Sequence, residues 1–521
     1  MPKFKDYKQG QQSGLFPLDI SELVPGHHLV RQINIVIDRL DVGKLDGFFS
    51  KSGASSYHPQ MMLKVIIYAY ATKNYSCRNI AAMLRQDITY MWLSGMQTPD
   101  FNTINRFRSV YLKDVLEDVF SEVLLFLHEH DFIKFENYFV DGTKLEADAG
   151  KYSHVWRKNT ERYKAAVQKR VAQLMREIEE FNEKENKLYD GKDLPELGEE
   201  NEISSEDVEQ LAQAISKRLT DKQESLEKRE QIKIQSKINK LSREQANLEK
   251  YEKQESILGE RNSYSKTDED ASMMRMKGTD ELRPGYNIQA SSENQFLTNI
   301  SVGHNASDSV CFPEHLEKSI QRGEKFVPDS YVGDSGYGSE ENYEALEKES
   351  IDNYFKFSSF HNEQKESHKE NIFHKDNLFY DKANNCFICP HNRKLAYRET
   401  KKIVTGNGFE QTVNIYESES CQECPLKQRC TKAKGNRVIQ VNPNLEKHKE
   451  KARENLLSDK GIELRRKRGP EIETFFGDLK HNQKYERIRL RGLEKANMEM
   501  LWLGICYNIR KANILLNKTA A

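Results

Sequence analysis

Three segments far apart in this chain each place a carboxylate where metal-dependent phosphoryl chemistry needs one. They are NYFVDGTKLEADAGKY with Asp141, SYVGDSGYGSEENYEAL with Asp334, and RGPEIETFFGDLKHNQKYERIRLRG with Glu473. The first two read as apolar strand ends running into an acid with Gly142 or Gly336 one or two residues on. Such glycines allow a phosphodiester backbone to approach closely. The third reads as a helix opened by Gly469 and Pro470, with Ile472, Phe476 and Leu479 as its core stripe. Glu473, Gly477 and Lys480 share the neighbouring face, an acid, a bare backbone and a base in a row. Glu471 shares its face with Phe475 and Asp478, so Glu473 is the preferred acid. Two strand-end acids and one helix acid are the parts that hold divalent ions such as Mg²⁺ (or Mn²⁺) over a phosphodiester. Singly, a strand-end Asp beside Gly is often a turn and an early helix Glu a dipole partner. Their joint appearance, in order and on suitable elements, carries the reading.

The elements that must position these acids form an α/β core with inserts. Residues 1–130 read as a helical N-terminal DNA-binding domain, with Ser76 and Asp100 as helix caps and Gly95 and Pro99 as breaks. The helix after Asp100 presents Asn102, Asn105, Arg106 and Arg108, side chains suited to base edges and phosphates; a solvated polar face is the alternative. Residues 131–152 and 264–360 supply the first parts of the core. GYNIQAS and QFLTNISVGH form a hairpin turning at SSEN, followed by a helix over 309–322, the DSYVGDSG strand, a helix over 339–348 capped by Ser339, and the NYFKFSS strand. Residues 153–263 are too charged for a core and read as an inserted helical hairpin (coiled coil), with Ala166, Val167, Val171, Leu174 and Ile178 on one face. The connector DGKDLPELGEENEI marks its turn. TDEDAS, with Asp268 and Asp270, is taken as structural. Residues 443–521 complete the core with helices, Trp502 and Tyr507 packing inward.

Residues 361–442 form a Cys-rich insert. Of eight cysteines, five lie between Cys386 and Cys430. Cys386-x-x-Cys389 and Cys421-x-x-Cys424, each followed by Pro, resemble zinc knuckles, so Cys386, Cys389, Cys421 and Cys424 are the expected structural Zn²⁺ ligands, with Cys430 a possible substitute. Cys77, Cys311 and Cys506 sit in apolar contexts. Downstream, Lys480, Lys484, Arg487, Arg489 and Arg491 cluster around Tyr485 as a phosphate-binding patch, on a helix end or a short R-I-R-L-R strand.

At 521 residues the chain holds two or three domains at roughly 100–200 residues each. Its net charge of −1 hides a segregated distribution: acids crowd Glu196 to Asp207, while bases crowd Arg465 to Arg468 and Lys480 to Arg491. The N-terminal MPKFKDYKQGQQSG lacks a signal-peptide core, and no apolar run is long enough to span a bilayer. The expectation is a cytoplasmic protein, nucleoid-associated when bound to DNA, with no membrane partner.

YFVDGTKLEADAGKY, TDEDASM, PGYNIQA, GDSGYGSEEN and IETFFGDLKH with RIRLRGLEKANMEM resemble the blocks of the DDE transposases of bacterial insertion sequences. The resemblance covers most of the chain. It implies a ribonuclease H-like mixed-sheet core with Asp141, Asp334 and Glu473 as the metal-binding triad. It also implies a Lys seven positions after the Glu, Lys480, and an Arg before it, for which Arg468 is nearest. The better-known Tyr-Arg-Glu-Lys signature would put Arg and Tyr where Gly469 and Arg466 stand. The implied activity is Mg-dependent cleavage and strand transfer of double-stranded DNA, at terminal inverted repeats and in the target, by a homo-oligomer assembled on DNA. The alternatives are a non-catalytic DNA-binding regulator derived from a transposase and a metal-dependent nuclease without strand transfer.

Overall fold

A computed structural model describes residues 19–39, 56–113, 115–186, 203–221, 228–276 and 279–520. Its described residues fall into two compact units. One comprises those within Met1–Thr143, Asn287–Gly303 and Ser307–Ala521, the other those within Lys144–Tyr286 and His304–Ala306.

In the first unit the N-terminal helices follow the capping residues. Ser76 accepts from Asn79 N at 3.5 Å to start the Cys77–Gln86 helix, and Asp100 accepts from Asn102 N at 2.7 Å and Thr103 N at 3.0 Å to start Phe101–Arg106. Gly95, at φ +58°, ends the Ile88–Ser94 helix in the left-handed region that suits glycine. The Pro59–Ala71 helix is almost wholly buried and packs against the last helix, Leu493–Ala520, which buries Trp502 and Tyr507 as its sequence predicts.

The strands, in chain order, are β1 (Asn137–Glu146), β2 (His154–Trp156), β3 (Ser263–Ser265), β4 (Ser272–Arg275), β5 (Leu282–Glu293), β6 (Phe296–Gly303), β7 (Ser330–Gly333) and β8 (Asp352–Phe355). The six-stranded mixed sheet runs β4-β5-β1-β7-β8, with β6 paired to β5. β5 and β6 form the predicted hairpin, turning at Asn294 and Gln295, both at positive φ. β1, β7 and β8 are parallel neighbours. The Asp308–Arg322 helix covers this sheet: Phe312 makes edge contacts with Tyr331, Tyr337 and Phe355 at centroid distances of 5.3, 5.8 and 4.9 Å. The result is a mixed α/β, ribonuclease H-like core with an N-terminal helical region.

A second sheet, of β9 (Phe379–Asp381), β10 (Cys386–Ile388), β11 (Lys394–Val404), β12 (Glu410–Ser418) and β13 (Val438–Val441), is antiparallel in the order β13-β12-β11-β10-β9. Its first cysteine, Cys386, lies in β10 and the other four clustered cysteines lie in its connections; its main apolar cluster is Leu378, Leu395, Tyr416 and Ile439.

In the second unit, β2 pairs with β3, and the long insert consists of the helices Arg157–Asn186, Ser205–Asp221 and Lys228–Leu258. The expected two-armed hairpin is corrected here. The second charged stretch yields two helices, and the last helix packs against both others around Val167, Val171, Val208, Leu211 and Leu241. Ala166 is exposed. Most of the DGKDLPELGEENEI connector lies outside the described residues. Asp268 is buried and accepts from Tyr286 Oη at 2.8 Å, a structural role as expected. Among the described residues no helix is long and apolar enough to cross a membrane.

Candidate active site

Parallel pairing brings the two aspartates level, Asp334 just past the end of β7 and Asp141 within β1 rather than at the strand end expected for it, because β1 runs on to Glu146. Phe139 on β1 faces Val332 on β7, and two further residues along each strand lead to Asp141 and Asp334. Adjacent strands lie about 4.8 Å apart, so the two carboxylates emerge side by side. Each is oriented in the same way. Asp141 Oδ1 accepts from Gly142 N at 2.8 Å, and Asp334 Oδ1 accepts from Gly336 N at 2.8 Å. The other oxygen of each lies 3.3 Å from one shared group, Nη2 of Arg468.

Arg468 stands on the helix that carries Glu473. That helix runs Asp459–Gly477, capped by Ser458, so Gly469 and Pro470 lie inside it rather than at its start. The start is set ten residues upstream, by Ser458 accepting from Gly461 N at 3.0 Å. Pro470 has no N–H to give the Arg466 carbonyl. The core stripe is Ile472, Phe475 and Leu479, with Phe476 only half-buried. Glu471 is half-buried and accepts from Gln295 N at 2.6 Å; desolvation holds its carboxyl above the usual range. Glu473 is exposed, one turn from Gly469, whose Cβ, if it had one, would lie 3.9 Å from Glu473 Oε1. Of the two, Glu471 is engaged with Gln295 and Glu473 is open to solvent. Beyond Gly477 the helix widens into a π-turn, Asp478–Asn482, within which Lys480 donates to Thr143 Oγ1 at 2.5 Å. Thr143 is two residues past Asp141, hence on the same face of β1.

A further acid, unnoticed in the sequence, borders this site. Asp308 Oδ1 accepts from Asn287 Nδ2 at 2.8 Å and Gln289 Nε2 at 2.9 Å. Tyr337 donates its hydroxyl to Gln289 Oε1. A Cβ on Gly142 would collide with Asp308 Oδ1 and lie 2.5 Å from Gln289 Nε2, and one on Gly336 would lie 3.7 Å from Asp308 Oδ2. Burial, and then the charges of Asp308, Asp141 and Asp334, push the Tyr337 hydroxyl well above its ordinary value. The signal in the sequence is Asn287, Gln289 and Ser291 alternating with Tyr286, Ile288 and Ala290, a polar face on a strand buried on both sides. Lys356 was also missed. Burial, with Arg468 and Arg465 nearby, lowers its ammonium, and Asp334 opposes that shift.

Not every predicted contact residue is presented to solvent. Asn102, Asn105 and Arg106 are exposed. Arg108 is buried instead and donates to Tyr70 Oη at 3.2 Å, Tyr75 O at 3.1 Å and Asn105 Oδ1 at 3.1 Å. It serves the helical core because Tyr70 and Tyr75 offer it acceptors there. Arg468 is turned to the acids, with its side chain 16% exposed. Lys484, Arg487, Arg489 and Arg491 are exposed on an irregular segment, not a helix or a named strand. Glu499 fixes that segment by accepting from Arg489 N at 2.9 Å and Leu490 N at 3.0 Å, while the Arg489 guanidinium lies 4.6 Å over the Tyr75 ring. In the Cys-rich insert, Cys389, Cys421, Cys424 and Cys430 line one small cavity, and Cys386 does not.

Residues 388–513 match the family described as Transposase DDE domain, and residues 18–110 match Transposase domain (DUF772). Both matches support a DDE-type transposase of an insertion-sequence family. No curated protein and no solved structure matches the chain. The matched spans contain Glu473, Lys480 and the basic segment, whereas Asp141 and Asp334 lie between them.

Proposed function

We propose that this transposase cuts and joins DNA at the ends of its own element, with Asp141, Asp334 and Glu473 as the catalytic acids. The observation that carries the reading is the single guanidinium of Arg468 in reach of both aspartates, from the helix that also bears Glu473. Two carboxylates converging on one cationic group are a donor set that fits a divalent cation. Their hard oxygens suit Mg²⁺ or Mn²⁺. When bound, the ions activate the attacking oxygen and stabilise the leaving one.

The protein's own groups do the rest. The Gly142 and Gly336 amides aim each Asp so that its second oxygen faces the common point. Arg468 offsets the repulsion of two neighbouring carboxylates while no other cation is present. Lys480, held at Thr143, supplies a positive charge for a phosphate oxygen beside Asp141. Nicking and joining are both in-line displacements at phosphorus, by water and by the freed 3′-hydroxyl respectively, so one site serves both. Asn102, Asn105 and Arg106 face the duplex from the N-terminal helices, and Lys484, Arg487, Arg489 and Arg491 from the C-terminal segment. The terminal inverted repeats are the cognate ligand, bound by a homo-oligomer.

Asp141→Ala, Asp334→Ala and Glu473→Ala are each expected to reduce cleavage and strand transfer of an end-containing duplex to background. Electrophoretic binding to the same duplex should stay within about threefold of the parent. Strand transfer retained in any of the three would overturn the assignment, and cleavage without joined products in the parent would favour a nuclease.

A further inference from the structure

We infer that the Cys-rich sheet holds one zinc-class ion through Cys389, Cys421, Cys424 and Cys430, with Cys386 outside the site. The four residues line one cavity of about 20 Å³, room for a single atom or water. Cys386 is instead buried within β10, its backbone level with Asp381 on one neighbour and Ala396 on the other. The split of the first pair follows from strand geometry. Cys386 is inside the strand, whereas Cys389 lies one residue past its end, where the chain turns back through Asn392 at positive φ.

Three of the four sulfurs already accept hydrogen bonds of the kind anionic sulfur ligands attract. Cys389 Sγ accepts from Arg393 N at 3.3 Å, Cys421 Sγ from Arg437 N at 3.3 Å, and Cys430 Sγ from Arg437 Nη1 at 2.9 Å. Such outer partners orient ligands and tune the metal. The charges agree as well. A divalent ion with four thiolates carries two negative charges. The cavity is lined by Arg393, Lys427 and Arg437 and by no carboxylate. Arg437 is itself buried and tied to Phe373 O at 2.5 Å, so it stays at the cavity without the ion.

The need for such an ion is visible in the packing. The main apolar cluster of the five-stranded sheet is Leu378, Leu395, Tyr416 and Ile439, a small interior for an antiparallel sheet with long exposed strands. Among the described residues no three of these sulfurs lie within 4.8 Å of one another. Tetrahedral ligation at about 2.3 Å would therefore draw the two Cys-bearing loops together, each thiol releasing its proton to solvent.

The test needs no DNA and is independent of the catalytic reading. Full-length protein purified without chelator, or reloaded with Zn²⁺ alone, should carry one zinc per chain by elemental analysis. X-ray absorption of that sample should count four sulfurs at about 2.3 Å. Cobalt-loaded protein should show sulfur-to-cobalt charge-transfer bands. Cys386→Ser should keep this spectrum and the parent's affinity, whereas Cys430→Ser should lose affinity at least tenfold. The inference is overturned if no metal is retained or taken up, if fewer than four sulfurs are counted, or if Cys386→Ser and Cys430→Ser behave alike. The sulfur count on the unaltered chain decides the matter even if a variant fails to fold.

Discussion

Asp141 and Asp334 extend from strands whose Tyr138, Val140, Tyr331 and Val332 are completely buried, beneath a helix that adds Phe312 to the same interior. The clustered cysteines lie in and beside a sheet whose main apolar cluster is four residues. In the first region packing comes first and the polar groups are carried into place by it, so side chains as costly to bury as Asn287 and Gln289 can be kept fully inside and fully bonded. In the second the apolar cluster is smaller, and under the proposed ligation the sulfur atoms would share the holding. Metal removal should therefore loosen residues 361–442 and leave the strands bearing the aspartates intact. The two regions would place the proposed metal-binding atoms by opposite causes.

Substitutions that avoid every acid can break this contrast. Gly142→Ala puts a methyl group into the space of Asp308 Oδ1 and Gln289 Nε2. If the acids depend on tight packing, strand cleavage should fall about a hundredfold, as about 1 Å of misplacement can cause, with about 1–3 kcal/mol of overpacking. Activity assays with denaturant unfolding read both. An unchanged rate would mean that the surrounding network does not position the site.

His315 offers a sharper, smaller effect. It lies fully buried between Ser291 Oγ at 2.6 Å and Ser301 Oγ at 2.8 Å, and burial pushes its imidazole down to about 3. The folded ring stays neutral, whereas the unfolded ring takes up a proton below about pH 6.5. Its contribution is thus fully present above that pH and is lost as pH falls toward about 3, at about 1.4 kcal/mol per unit. Urea unfolding at pH 7.5 and pH 5 should show this loss in the parent and a shallower one in His315→Gln.

The smallest effect concerns Arg468. Its pairs are only partly shielded, with the Asp334 side chain 43% exposed, so Arg468→Ala should cost about 1 kcal/mol. The informative quantity is the rise in melting temperature on adding Mg²⁺. Without the competing guanidinium that rise should exceed the parent's; an equal rise would show that Arg468 does not occupy the cation's place.

Much of this arrangement is legible in the sequence because it depends on local causes. The apolar run ending in Asp334 marks a strand end, whereas the one ending in Asp141 marks a strand that continues to Glu146, and Ser76, Asp100 and Ser339 mark helix starts that the structure keeps. What the sequence conceals depends on partners distant in the chain. Arg108 looks like a surface arginine until Tyr70 and Tyr75 are seen to face it. Gly469–Pro470 looks like a helix start because proline favours the first turn, yet the cap at Ser458 and the packing of Leu464 and Ile472 carry the helix through it. Asp308 looks like a first-turn acid, and only the fold brings Asn287 and Gln289 to it. Cys386 and Cys389 look like a pair, and the end of β10 separates them.

The register that places Asp141 opposite Asp334 has a consequence for how this molecule can vary. The gap between the two acids is a strand spacing, fixed by main-chain hydrogen bonds that no side-chain replacement lengthens or shortens. One of the three distances among the proposed acids is therefore written into the backbone. Only the helix bearing Glu473 is left as the adjustable jaw, and inserts of almost any length can be spliced between the acids without moving the first two.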